Sequence, residues 1–327
     1  MMKQNWKRTL QGALLGVALL AMAGCGSNNV MDTYSFGHQV IRVGQSEITI
    51  ALPYEMGKST KNMNTYQTVL RKMRTEAQTP VQYYLSLEEG ELPMNDLLGQ
   101  QLTLRFAGYH CLHCGQPKEI YRQGLCKKCF FEAPEVGEWI IRPELSKAHL
   151  GIEDRDLAYE QQVQLQPHLL YLANSSEVKV GVTRKTQMPT RWIDQGAHEA
   201  LVMLEVPNRY LAGIGEVALK AHISDKTNWR KMLTNTLQVV DLNTIKQGLK
   251  AFLPQETLSY FSEEVPIYHI NYPVLRYPTK VTSLTMPKTL QYQGRLMGIK
   301  GQYLLFEDNT VFNVRGHEGF VVEISFS

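Results

Sequence analysis

The sequence predicts an α+β protein in three parts behind an apolar leader: a cysteine-bearing ribbon, an α/β core and a C-terminal small β-barrel. Three observations lead there. Two CxxC pairs, Cys111/Cys114 and Cys126/Cys129, stand eleven residues apart; two β-rich runs flank the polar turn Asn174-Ser175-Ser176 ahead of a helical stretch; and five short strand-like runs follow Thr279. With 43% apolar content over 327 residues the chain can bury a sizeable core, which excludes a disordered protein.

The leader comes first. Lys3, Lys7 and Arg8 precede the apolar run Gly12 to Gly24, and Met22-Ala23-Gly24 precede Cys25. Residues 1–25 therefore read as a secretory signal, too short to span a bilayer as a mature helix. The small residues before Cys25 resemble a lipobox, which implies lipidation of that cysteine and a membrane-anchored lipoprotein. A product started at Met31, Met56 or Met63 would lack the leader and be cytoplasmic. Residues 26–62 form a linker or short hairpin, with the alternating run His38 to Pro53 turning through Val43-Gly44-Gln45-Ser46.

Residues 63–160 are strand-rich and carry the ribbon. Each CxxC pair makes a knuckle whose thiolates converge, and two knuckles complete a tetrahedral Zn²⁺ site through Cys111, Cys114, Cys126 and Cys129. Gly115 follows the second thiolate, where a left-handed backbone turns amides toward sulfur. Four thiolates leave no open coordination position, so the metal is structural; in an exported protein the same thiols could form two disulfides, although CxxC spacing favours metal. Lys118, Arg122, Lys127 and Lys128 surround the knuckles as a phosphate-facing patch or a solvated basic surface. The net charge of +3 is too mild to demand a polyanion partner, but nucleic-acid footprints are local.

Residues 161–262 form the core. Leu169–Leu172 and Val178–Thr183, joined by the Asn/Ser turn, read as an antiparallel hairpin that sets Tyr171 and Lys179 on neighbouring strands. Arg191-Trp192 follow at a helix start. Glu216 lies in a helix whose apolar spacing predicts a core face of Ile214, Val217, Ala218 and Ala221, with an exposed Glu216–Lys220 pair as its ordinary role. Leu242, Ile245, Leu249 and Phe252 repeat at helical spacing and stop before Pro254.

This order of parts resembles the GIY-YIG nuclease superfamily. Tyr171 matches the first hairpin tyrosine, Gly181 the closing glycine, Arg191 the helix arginine and Glu216 the metal-binding glutamate, while Lys179 stands where the second tyrosine is usual. The resemblance implies a Mg²⁺- or Mn²⁺-dependent phosphodiesterase: Glu216 holds the cation, Arg191 clamps phosphate, and Tyr171 orients or deprotonates water. Lys179 would contact phosphate as a cation, or act as a base if burial beside Arg191 lowered its pKa; the contact is the favoured role. His222, Trp229 and Asn235 are further binding candidates, Trp229 by stacking a base or by closing the core. The phrases Val178–Arg184, Arg191–Ala197, Lys226–Leu233 and Gly298–Leu304 also resemble an uncharacterised bacterial family, domain of unknown function 2797, from about Met63 onward.

Residues 263–327 complete the barrel with strands Thr279–Met286, Leu290–Met297, Gln302–Phe306, Thr310–Arg315 and Phe320–Phe326. Lys280, Arg295, Lys300 and Arg315 with Tyr292, Tyr303 and Phe312 would line a single-strand platform there, unless the aromatics are core. The sequence thus points to a zinc protein that binds nucleic acid, with metal-dependent nuclease activity. Its competitor is a non-catalytic nucleic-acid-binding or membrane-anchored interaction protein.

Overall fold

A computed structural model describes residues 35–43, 46–54 and 64–327. The leader and Cys25 lie outside the described residues. Two compact units separate at Asn62/Met63. In the first, β1 (Ser35–Val43) and β2 (Ser46–Tyr54) pair antiparallel with Val43 opposite Ser46, the hairpin that the alternating run predicts. Among the described residues no helix is long and apolar enough to cross a membrane.

The second unit opens with β3 (Asn64–Val69), the small sheet β4 (Arg74–Glu76), β5 (Gln82–Ser86) and β6 (Glu91–Pro93), and the long β7 (Gln101–Tyr109). The ribbon follows as β8 (Ile120–Arg122), β9 (Leu125–Cys126) and α1 (Lys127–Glu132). Short 3-10 turns lead to α2 (Leu157–Gln164), which starts where the Asp156 side chain accepts the Tyr159 amide. Then come β10 (His168–Asn174), β11 (Val178–Arg184), α3 (Thr190–Asp194), β12 (Glu199–Val206), α4 (Arg209–Lys220), α5 (Trp229–Leu233), α6 (Leu242–Leu249) and β13 (Tyr268–His269). The C-terminal strands are β14 (Thr282–Leu284), β15 (Gln291–Lys300), β16 (Tyr303–Phe306), β17 (Thr310–Asn313) and β18 (Phe320–Phe326).

All five C-terminal strands form where the sequence places them, but they do not close a small barrel. β7 inserts between β15 and β18, and β3 pairs on the far side of β18, giving one seven-stranded sheet ordered β14-β17-β16-β15-β7-β18-β3 with unpaired ends. The expected aromatic platform is lost with the barrel, because Phe312 and Lys300 are both buried.

The core sheet runs β11-β10-β12-β13. Every residue of β10 is buried, because both of its faces are covered. Tyr171, Ala173 and Ala200 face a core shared with Leu102, Leu104 and Phe312 of the large sheet. Leu170, Leu172 and Leu204 face α4 and α6, through Ala212, Leu219, Leu242 and Leu249.

The inner face of α4 differs from the one its apolar spacing predicts. Ala212, Gly213, Gly215, Glu216 and Leu219 are buried, whereas Val217 is exposed. Glycines carry the contact: a Cβ at Gly213 would sit 2.3 Å from the Glu144 backbone nitrogen, and one at Gly215 would sit 3.1 Å from Leu170 Cδ2. Close backbone approach decides the face, and a count of large apolar residues does not register it. Gly213→Ala is therefore expected to destabilise the chain by about 3 kcal/mol, since backbone cannot step aside. Urea unfolding checks this, and an unchanged midpoint would contradict the packing.

Candidate functional site

The ribbon brings its four thiols together. The Sγ atoms of Cys111, Cys114, Cys126 and Cys129 lie within 4.8 Å of one another, and none is in a disulfide. A tetrahedral zinc with sulfur at about 2.3 Å spaces its thiolates by about 3.8 Å, so the donor set fits a metal ion such as zinc. Gly115 adopts the expected left-handed backbone at φ +68°. Burial pushes the Cys111 thiol up, but amides of Cys114, Cys126 and His113 outweigh it and bring it down to about 6. Burial and hydrogen bonds to the other three thiols push Cys129 up to about 12. Cys111 is thus drawn toward the thiolate and Cys129 toward the protonated thiol, whose proton a dication would displace.

Around this centre Leu125, Ala133 and Val136 close a small apolar cluster. Arg155 Nη1 donates to the carbonyls of Phe130 at 3.2 Å and Ala133 at 2.6 Å, tying down the end of α1. His113 is not a ligand; its Nδ1 lies 2.6 Å from Glu135 Oε1. Tyr121 and Phe131 stay 44% and 57% exposed beside the basic residues.

In the core, Tyr171 pairs with Gly181 across the hairpin, and Ala173 with Lys179. Gly181 is required here, because a Cβ would fall 2.6 Å from the Tyr171 hydroxyl. That hydroxyl donates to Gln195 Oε1 at 3.0 Å. The Tyr171 ring packs edge-on against Trp192, centroids 5.9 Å apart, which sets neighbouring Arg191 beside it. Burial pushes the Tyr171 phenol up, and the Arg191 guanidinium partly offsets this. Burial works against the Arg191 charge, but Tyr171, Asp194 and Glu216 together hold its pKa above the ordinary arginine value.

Lys179 is 5% exposed. Its ammonium donates to Thr227 Oγ1, and its backbone forms a bridge to Ser224, so the segment after α4 closes over it. Burial, with Arg191 nearby, brings its pKa down to about 7, against the pull of Asp225 and Glu216. The desolvation on which a base role depends is therefore present.

Glu216 is 8% exposed rather than a surface group. It pairs with Lys220 at 3.2 Å, and Lys220 also meets Asp225 at 3.4 Å. Burial pushes the Glu216 carboxyl up, opposed by Lys220 and Arg209. Tyr171, Lys179, Arg191 and Glu216 thus lie within electrostatic reach of one another. Tyr171 itself is wholly buried, on the sheet face away from the apolar residues of α4. Lys179, Arg191, Arg209 and Lys220 face the carboxylates of Glu216, Asp225 and Asp194, so the group is nearly balanced in charge, with the positive groups drawn from four separate side chains around Glu216.

The other candidates have partners outside this group. His222 stacks on Phe252 with centroids 3.6 Å apart. Trp229 lies parallel to Tyr303, joins a cluster with Met232 and Leu305, and has the Arg230 guanidinium 4.3 Å from its centroid, so it closes core as the second of its two readings holds. Asn235 accepts from the buried Lys300 at 2.9 Å. Sequence reasoning missed Gln195, Arg209 and Thr227. Arg209 directly follows Asn208, whose side chain caps α4 by accepting the Leu211 amide, and donates to the carbonyls of Trp139 and Ile140; the cap was a legible signal, the carbonyls were not.

The fold and site define a mixed α+β protein with a four-thiolate cluster able to hold a metal ion. The family model described as protein of unknown function (DUF2797) matches residues 99–322, and the chain belongs to that family. Comparison with curated proteins and with solved structures gives no significant match.

Proposed function

We propose that this is a nucleic-acid-binding zinc protein in which the ribbon is a structural staple and the hairpin-and-helix core contacts phosphate. The observation that carries the reading is the gathering of Tyr171, Lys179, Arg191 and Glu216 within electrostatic reach of one another, with the Arg191 guanidinium held charged among them. Arg191 is the least buried of the four, half-buried rather than enclosed, and its planar guanidinium is suited to grip a phosphate through two parallel hydrogen bonds.

A second reading, metal-dependent cleavage of the GIY-YIG kind, is favoured by the same order and convergence of residues. It asks Glu216 to exchange Lys220 for Mg²⁺ or Mn²⁺ and the wholly buried Tyr171 to meet water. The chain's own groups would then act in set roles: Arg191 neutralises phosphate, and Lys179, deprotonated near neutral pH, accepts a proton. Incubating the protein with labelled DNA and RNA, with and without Mg²⁺ or Mn²⁺, separates the two. Salt-sensitive binding that Arg191→Ala weakens, with no cleavage, is the result expected from the first reading. Cleavage abolished by both Glu216→Ala and Arg191→Ala establishes the second, and neither binding nor cleavage removes both.

Location is a separate proposal. Processing at Cys25 would anchor the protein to a membrane as a lipoprotein, whereas a later start would leave it in the cytoplasm. Intact-mass analysis of the native protein distinguishes a diacylated Cys25 from an unmodified later start.

A further inference from the structure

Two open hollows meet at one exposed aromatic ring on the ribbon. The first, about 490 Å³, is lined by Lys118, Lys127 and Lys128 together with Tyr121. The second, about 700 Å³, is lined by Arg71, Arg122 and Arg315 together with the same Tyr121. They draw on separate stretches of chain: the ribbon, the segment after β3 and the turn before β18. None of Lys118, Lys127, Arg71, Arg122 and Arg315 is engaged in an ion pair among the described residues, and Lys128 meets Glu132 only at 3.9 Å.

Acidic residues also line the hollows, but two of them have other partners. Glu135 is held by His113 at 2.6 Å, and Glu318 accepts the Lys72 amide at 3.0 Å. Glu119 is the third. Six basic groups therefore face three carboxylates, a local excess of positive charge as large as the net +3 of the whole chain.

Tyr121 sits at the junction. Phe130 meets its ring nearly edge-on at 5.3 Å, and Phe131, itself exposed, lies tilted at 5.8 Å. The Arg122 guanidinium lies 5.4 Å from the Tyr121 centroid. An exposed ring between two cationic hollows is the arrangement that holds an unpaired base by stacking while the flanking phosphates are neutralised. A duplex hides its base faces and gains only the charge.

We infer that the ribbon and the turn before β18 form a binding track for single-stranded nucleic acid, with phosphates in the two hollows and a base stacked on Tyr121. This rests on the reading of the protein as a nucleic-acid binder and names the form of polymer it takes.

The test uses the full zinc-loaded chain with labelled oligo(dT), oligo(U) and a duplex, each of about 15 nucleotides per strand. A single strand is expected to bind at least about tenfold tighter than the duplex, and Tyr121→Ala to weaken it about tenfold while Tyr121→Phe retains it. Replacing both Arg122 and Arg315 with alanine should flatten the dependence of log affinity on log salt by about 1.4. Zinc content equal to that of the unsubstituted chain shows that the ribbon is intact in each variant, and Tyr121→Phe with the double arginine variant decides the matter if Tyr121→Ala loses zinc. Tighter duplex binding, or track variants that bind like the original, overturns the track; if Arg191→Ala still weakens binding, the broader reading survives. No binding to any of the three probes overturns both.

Discussion

The purified chain is expected to carry one zinc ion, and Cys126→Ala to carry none. Cys126 is buried, its amide donates to Cys111 Sγ at 3.2 Å, and its thiol is one of four that converge. The ribbon's own apolar cluster is small, so a bound metal would supply most of its cohesion. Structural zinc in small domains contributes on the order of 10–16 kcal/mol of apparent binding free energy at neutral pH, which is folding energy for the segment that supplies the ligands. Chelation or Cys126→Ala should therefore unfold the stretch around Cys111–Val136 while the two larger cores, built from other residues, stay folded. Elemental analysis gives the stoichiometry, and amide hydrogen exchange shows which segment loses protection. A metal-free chain with Cys111, Cys114, Cys126 and Cys129 joined in two disulfides would contradict this account.

The second large effect concerns Lys179. Its pKa in the folded chain is about 7, against 10.5 for an ordinary lysine, so between those values the unfolded chain binds more protons than the folded one. Stability should then rise as pH climbs through that window, by up to about 1.4 kcal/mol per unit, and the full penalty of burying the charge is felt below pH 7. Lys300, brought down to about 8 by burial, acts in the same direction over the upper part of the window. Lys179→Met removes the larger contribution. It is expected to stabilise the chain by a few kcal/mol at pH 6 and to leave a shallower rise between pH 7 and 9, measured by urea unfolding at each pH. A variant with the original slope would show that Lys179 stays charged.

How much was legible depended on how local the determinants are. The four-thiolate centre could be read because each CxxC pair fixes its own geometry within a few residues. The β10–β11 hairpin could be read for the same reason. The barrel could not: the partners of β15 and β18 are β7 and β3, which lie across the ribbon and the whole core in sequence, and strand periodicity does not say which strand is next door. The face of α4 was misjudged because Gly213 and Gly215 make its closest contacts without apolar side chains. The convergence of Tyr171, Lys179, Arg191 and Glu216 was legible only through resemblance. The state of Lys179 was legible only as one of two alternatives, since its burial depends on Ser224 and Thr227 closing over β11.

The central claim is that the protein binds nucleic acid by contacting its phosphates. Equilibrium binding of a labelled oligonucleotide to the zinc-loaded chain, titrated across salt concentration, tests it most directly. The account predicts that log affinity falls linearly with log salt and that Arg191→Ala makes the fall shallower. Affinity that is absent at low salt, or present but indifferent to salt, would contradict it.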